Sequence, residues 1–373
     1  MGEGSKIKKL DYNADVVTKR PVSSYVVCSV FFLANFLISI TLCYFYYKRG
    51  KNMGEIIFSA ENLIKQYKTN KALNDFYMEI HRGEIYGFVG RNGAGKTTLM
   101  RILTGRAKQT DGRFALFGIS GGAAYCKQLR KVGALIESPA FYSGLTAWDN
   151  LEILRLQYGI PGTKCISEAL EMTGLEDVGK KKVKNFSLGM KQRLGLAQAI
   201  LGNREFLVLD EPTNGMDPEG IIDFRKILIS LNQEKGVTIL VSSHMLKELS
   251  QLATCYGFIR KGKMVRESTI EEIKKECMAM PHLSIYTDNA MAAFKVMKED
   301  FPQYKAKVAS DDKLVVDGFS GGIKINDFRI VIKSLIEKNI EKSFIEKNIE
   351  IREVKIEHAS IEDLYLAIMS REG

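Results

Sequence analysis

Between Gly90 and Thr97 the chain reads G-R-N-G-A-G-K-T, the G-x-x-x-x-G-K-[ST] spacing of a phosphate-binding loop. No other stretch restricts the fold so strongly, because such a loop works only between a buried strand and the helix that starts inside it. Both neighbours are legible. Glu84-Ile85-Tyr86-Gly87-Phe88-Val89 is a short apolar run suited to a buried strand, and Thr97-Thr98-Leu99-Met100-Arg101-Ile102-Leu103 has the spacing of an amphipathic helix. With glycine at ~7% of average composition, the bare pattern arises by chance in roughly one chain in a hundred of this length, so the context carries the assignment.

Each residue type answers a need of phosphate chemistry. Gly90, Arg91, Asn92, Gly93, Ala94 and Gly95 offer backbone N–H groups, and the glycines let that backbone wrap the phosphates. Lys96 is expected to neutralise the β and γ phosphates of ATP. Thr97 is expected to offer its hydroxyl to Mg²⁺, and Thr98 belongs to the same opening turn. The bland alternative is a glycine-rich turn with an exposed lysine.

Phe206-Leu207-Val208-Leu209-Asp210-Glu211 is an unbroken apolar run ending in two carboxylates, the pattern of a fully buried parallel strand. Ligand chemistry in such sheets lies at the carboxyl ends of strands. Asp210 is therefore expected to hold Mg²⁺ through water, and Glu211 to act as general base on the attacking water. A helix cap is the bland reading. A third strand, Val237 to Val241, leads through Ser242 and Ser243 to His244, which is placed to sense the γ-phosphate; alone it would be read as structural.

A phosphate loop leaves many nucleotide enzymes open, and the residues between the motifs narrow them. Phe186-Ser187-Leu188-Gly189-Met190-Lys191-Gln192-Arg193 resembles the signature of ABC ATPases, usually L-S-G-G-Q before a basic helix. Ser187 is a good N-cap for that helix. The resemblance implies that Ser187 and Gly189 meet the γ-phosphate held by a second subunit, so that ATP is shared in a homodimer. Phe186, Leu188 and Met190 depart from the pattern, and Leu188 costs the backbone approach that Gly allows. Tyr67, in L-I-K-Q-Y, resembles the aromatic that stacks on adenine; Asn214-Gly215-Met216-Asp217 resembles the segment that communicates across the dimer. The usual Q-loop glutamine is replaced by Glu137, a possible Mg²⁺ or water ligand that offers no amide donor. Glu137 and the run to Thr146 resemble the bacitracin-resistance and lantibiotic-immunity branch.

The expected architecture is α/β: a P-loop NTPase (ABC ATPase) core with an antiparallel β subdomain and a helical subdomain, over 53–280. Residues 281–373 are expected to form a small α+β accessory domain. Val22 to Tyr47 carries no charge and as a helix would span about 39 Å, at ~1.5 Å per residue, so residues 1–52 are expected to be an extension with a single transmembrane helix at 22–47. A cleaved signal peptide fits less well, because its apolar region is ~7–15 residues. Basic residues flank both ends and leave the topology open. Within the tail, Lys333 to Glu341 is repeated at once by Lys342 to Glu350; nine residues at roughly 100° each would turn equivalent apolar positions to opposite faces of a helix.

The net charge of +10 is compatible with phosphate, nucleic acid or anionic lipid and selects none. Six scattered cysteines suggest a reducing compartment without disulfides. One apolar helix cannot enclose a polar route, so a separate multispan permease is implied. The expected function is the ATP-hydrolysing subunit of an ABC transporter for antimicrobial peptide export or self-immunity, at the cell membrane with its ATPase domain on the cytoplasmic side. The alternatives are a non-transport ABC ATPase and a nucleotide-dependent regulator; with one cassette and no sustained heptads, no nucleic acid partner is expected.

Overall fold

The computed structural model describes residues 54–137, 139–279, 281–302, 304–317 and 340–370. The expected membrane helix at 22–47 and the first copy of the tandem repeat, up to 339, lie outside them. Among the described residues no helix is long and apolar enough to cross a membrane.

In chain order the elements are β1 (Ile56–Tyr67), β2 (Asn70–His81), β3 (Ile85–Val89), α1 (Lys96–Leu103), β4 (Asp111–Leu116), α2 (Gly122–Gln128) and β5 (Val132–Leu135). There follow α3 (Ala147–Tyr158), α4 (Lys164–Met172), α5 (Leu188–Ile200), β6 (Phe206–Asp210), α6 (Pro218–Lys235), β7 (Thr238–Ser243), α7 (Leu246–Leu249), β8 (Cys255–Arg260) and β9 (Lys263–Thr269). The chain continues through α8 (Ile270–Ala279), β10 (Pro281–Thr287), α9 (Ala290–Asp300), β11 (Lys305–Ser310), β12 (Lys313–Asp317), α10 (Ile340–Glu346), β13 (Ile351–His358) and α11 (Ile361–Ser370).

Six strands form the central sheet in the order β5-β6-β7-β3-β8-β9, parallel except for β9 on β8. Period-two alternation sends Phe206 and Val208 to one face and Leu207 and Leu209 to the other. All are buried, because each face is covered. On the first face lies the antiparallel sheet β2-β1-β4 with α1, closing a core around Phe58, Phe76, Phe88 and Leu99. On the second, Val89, Leu209 and Phe258 pack with Phe224 and Leu228 of α6 and with α11. The helices α3, α4 and α5 make a separate core of Leu151, Ile166, Leu170 and Leu194. A capping box between Thr146 and Asp149 starts α3.

Strands β11-β12-β10-β13 form a four-stranded antiparallel sheet whose Leu283, Ile285, Leu314 and Val316 pack beneath α9 and α10. Leu364 and Ile368 of α11 bury in the core of the nucleotide sheet through the apolar face of that helix. Of the first copy of the repeat only Ile340 and Glu341 are described. Asn348, at φ 55°, ends the helical path just past Glu346, so Ile340 and its equivalent Ile349 both bury in the same cluster.

Candidate functional site

The site grows out of the carboxyl ends of β3, β6 and β7, which lie side by side in the parallel sheet. Their register sets Val89 beside Ser243 and Asp210 beside Ser242, so the loops that leave them start at one level. Gly90 opens the phosphate loop under a steric demand: a Cβ there would sit 2.6 Å from Ile259 Cγ2. Gly95 is required by its backbone, with φ 117° and a notional Cβ 2.5 Å from the Ala72 carbonyl. α1 then begins at Lys96.

Lys96 is only 5% exposed, and its ammonium donates to the Gly90 carbonyl at 2.6 Å and lies 3.2 Å from Glu211 Oε1. A buried ammonium held by carbonyls and a carboxylate is poised to exchange them for phosphate oxygens. Next to it, Thr97 Oγ1 donates to Asp210 Oδ2 at 2.6 Å and Ser242 Oγ donates to Asp210 Oδ1 at 2.6 Å. The same Ser242 hydroxyl accepts the Glu211 N–H at 3.0 Å. Glu211 turns away from the strand at φ 46°, an uncommon conformation for a side-chain-bearing residue, and its Oε2 lies 2.9 Å from His244 Nδ1. A cleft of 270 Å³ beside them is lined by Glu211, Asn214, Gly215, Met216 and His244.

The loop, Asp210, Glu211 and His244 are thus brought together within one chain. Thr97 and Asp210 present hard oxygens in contact, a donor set suited to Mg²⁺, which keeps several waters and takes few protein ligands. The remaining expected residues lie elsewhere. Tyr67 ends β1 with one ring face covered by Lys65, whose ammonium is 4.7 Å from the centroid and donates to the Lys108 carbonyl at 2.7 Å. Ser187 caps α5, accepting the Met190 N–H at 3.2 Å, and Gly189 lies in that helix's first turn. Among the described residues no hydrogen bond joins either of them to residues 90–98. Asp217 is the N-cap residue of α6, ahead of Pro218. Glu137, half exposed at φ 62°, is paired with Arg101 of α1 and has no hydrogen bond to Thr97 or Asp210.

Sequence reasoning assigned no role to Ser242, although it links the Asp210 carboxylate to the Glu211 backbone. The available signal was a hydroxyl at the end of a buried strand, one residue short of Ser243 and two short of His244. Glu248 of α7 was also missed; its Oε2 accepts from Thr213 and Ser243, both at 3.0 Å, and ties the turn after Glu211 to the end of β7. No motif announces it.

A mostly parallel sheet with a phosphate loop after a central strand and a carboxylate strand one place removed, across β7, defines a P-loop nucleotide-binding protein. Residues 73–214 match the family described as ABC transporter. The ABC transporter ATP-binding protein YcbN of Bacillus subtilis (strain 168) is 34% identical over 314 residues, covering 84% of this chain and 97% of that protein. The bacitracin transport ATP-binding protein BcrA of Bacillus licheniformis is 40% identical over 255 residues, 68% of this chain and 83% of its own length. The lantibiotic transport ATP-binding protein SrtF of Streptococcus pyogenes is 42% identical over 207 residues, 56% and 88% respectively. Among solved structures, the ATP-binding cassette MJ0796, dimeric in a post-hydrolysis state with ADP and Pi, superposes at a TM-score of 0.53 with 26% identity, covering 57% of this chain and 98% of that one. The chain belongs to the ATP-binding subunits of ABC transporters.

Proposed function

We propose that two copies of the chain close head to tail on ATP, hydrolyse it, and drive a separate multispan permease that moves a peptide antibiotic. The observation that carries this reading is the continuous set of contacts from Lys96 through Glu211 to His244, beside the Thr97–Asp210–Ser242 set. The backbone of residues 90–95, with Lys96 and Thr98, would hold the phosphates, and Tyr67 would stack on adenine. Thr97 and Asp210 would hold Mg²⁺, with Glu137 within reach of the same role once it leaves Arg101. Bound there, the ion supplies charge neutralisation on the β and γ phosphate oxygens.

Glu211 takes the proton of a water whose oxygen attacks the γ-phosphorus, and the bond to the β-bridging oxygen breaks to leave ADP and phosphate. His244 orients the Glu211 carboxylate. Ser187 and Gly189 of the second copy would complete the γ-phosphate contacts, and Asp217 would lie at that junction. The dimeric state of MJ0796 supports this arrangement.

The names of BcrA and SrtF support a peptide antibiotic as cargo. A cleft of about 370 Å³ lined by Leu135, Ile136, Pro139, Tyr158, Arg106 and Arg204 flanks Glu137, and we assign it to the permease. Residues 53–280 would supply the ATPase domain and 22–47 a membrane helix, with the ATPase on the cytoplasmic side. Glu211→Gln tests the core of the proposal. Hydrolysis should fall by at least about 100-fold while ATP-dependent dimers accumulate in sizing experiments; unchanged turnover would remove Glu211 from the base role.

A further inference from the structure

The last described helix leaves the accessory sheet and returns to the nucleotide core. A capping box starts α11: Ser360 N–H donates to Asp363 Oδ2 at 3.0 Å, and Asp363 N–H to Ser360 Oγ at 3.1 Å. Asp363 is also paired with Lys307 of β11, which ties the helix to the accessory sheet. Ile361, Leu364, Tyr365, Ile368 and Met369 follow the i, i+3, i+4, i+7, i+8 pattern and pack with the core on the second face of the central sheet.

The residues α11 touches are those that back the phosphate loop. The Tyr365 ring lies 5.9 Å from that of Phe258, which pairs in register with Val89, the residue before Gly90. Arg260 Nη1 donates to the Met369 carbonyl at 2.6 Å. Between Phe258 and Arg260, Ile259 points to the opposite face and fills the space a side chain at Gly90 would need. Just past Arg260, the Gly262 N–H donates to the Ala94 carbonyl at 2.8 Å. The end of β8 is therefore clasped, by α11 on one face and by the phosphate loop on the other. Burial pushes the Tyr365 phenol up, and the positive charge of Arg91, inside the loop, opposes that rise without reversing it.

We propose that α11 is a positioning element of the phosphate loop, acting through Tyr365 and Arg260 on β8, and that the accessory sheet sets nucleotide affinity through it. The inference rests on the nucleotide reading above. A loop that presents several N–H groups to a phosphate loses affinity when its backing relaxes by a fraction of an ångström. Linkage makes the effect reciprocal: bound nucleotide must tighten α11 although the helix touches none of it.

The test uses the full chain, with ATP and Mg²⁺ as the probe. Tyr365→Leu should weaken the ATP Kd about 3- to 10-fold, while Tyr365→Phe, which keeps the ring, stays within about 2-fold of wild type. Ile273→Val loosens the same core from α8 and should lower Tm without moving Kd. In the unaltered protein, ATP should slow hydrogen exchange at residues 364–370 more than at α9. A Kd for Tyr365→Leu equal to wild type, a shift matched by Ile273→Val, or exchange in α11 that ignores ATP while residues 90–97 are protected, each overturns the inference and leaves the nucleotide site standing. Absence of protection at 90–97 as well overturns both.

Discussion

At the carboxyl ends of β3, β6 and β7 a lysine, two carboxylates and two hydroxyls meet; on the accessory sheet Lys313, Glu357 and Ser284 assemble from the same chemical set. Lys313 Nζ and Ser284 Oγ each donate to Glu357 Oε2 at 2.7 Å, and Tyr286 donates to Oε1 at 3.3 Å. Those residues lie within paired strands, with His282 opposite Glu357 and Tyr286 opposite Lys313, so a ladder partner holds each backbone in place. The hydrogen bonds from Lys313 and Ser284 bring the Glu357 carboxyl down to about 2. Lys96 and Glu211 instead stand where strands give way to loops, and the Lys96 ammonium leans on a carbonyl that an anion can replace. Location in the sheet, more than chemical type, separates a site that exchanges partners from one that only braces.

Substitutions should divide along the same line. Lys96→Met removes the buried charge facing the phosphates, and ATP hydrolysis by the purified protein should fall by at least about 100-fold; a smaller loss would erase the contrast. Ser242→Ala takes a hydrogen bond from the Asp210 carboxylate, worth about 1.5–3 kcal/mol for a charged partner, and the acceptor from the Glu211 N–H, so turnover should drop roughly 10- to 100-fold with Tm little changed.

Glu357→Gln should leave ATP turnover unaltered and cost about 1 kcal/mol in denaturant unfolding, because the pair is partly open to water. Its pH dependence has a definite sign. A carboxyl lower in the folded state than its ordinary 4.5 contributes stability above that value and loses it as pH falls towards about 2. Acid titrations of wild type should show that loss and Glu357→Gln should lack it. The smallest effect belongs to Lys65→Met, which uncovers the Tyr67 ring: a cation–π contact of about 0.5–1 kcal/mol predicts a 2- to 5-fold change in ATP affinity, absent for inorganic triphosphate.

Much of the site was legible because its motifs are local. The loop from Gly90 to Thr98 and the carboxylates after Phe206–Leu209 each pair a backbone need with a residue type inside one short window. Ser242 and Glu248 escaped because their importance comes from strand register and from a helix beyond the next turn. The pairing of Glu137 with Arg101 escaped for the same reason, lying 36 residues apart.

The tail marks the boundary between the two kinds of knowledge. The sequence led to an α+β character for the tail, since alternation and helical spacing are properties of a segment. It could not tell that α11 deserts the accessory sheet for the core beside Phe258, or that Asn348 ends a helix the repeat would have continued. By itself the sequence determined the nucleotide chemistry and the class of fold, because phosphate loops and buried strands impose their residues locally. Which apolar face finds which partner, and so what stands behind the loop, was decided only when distant segments competed for the same buried surface.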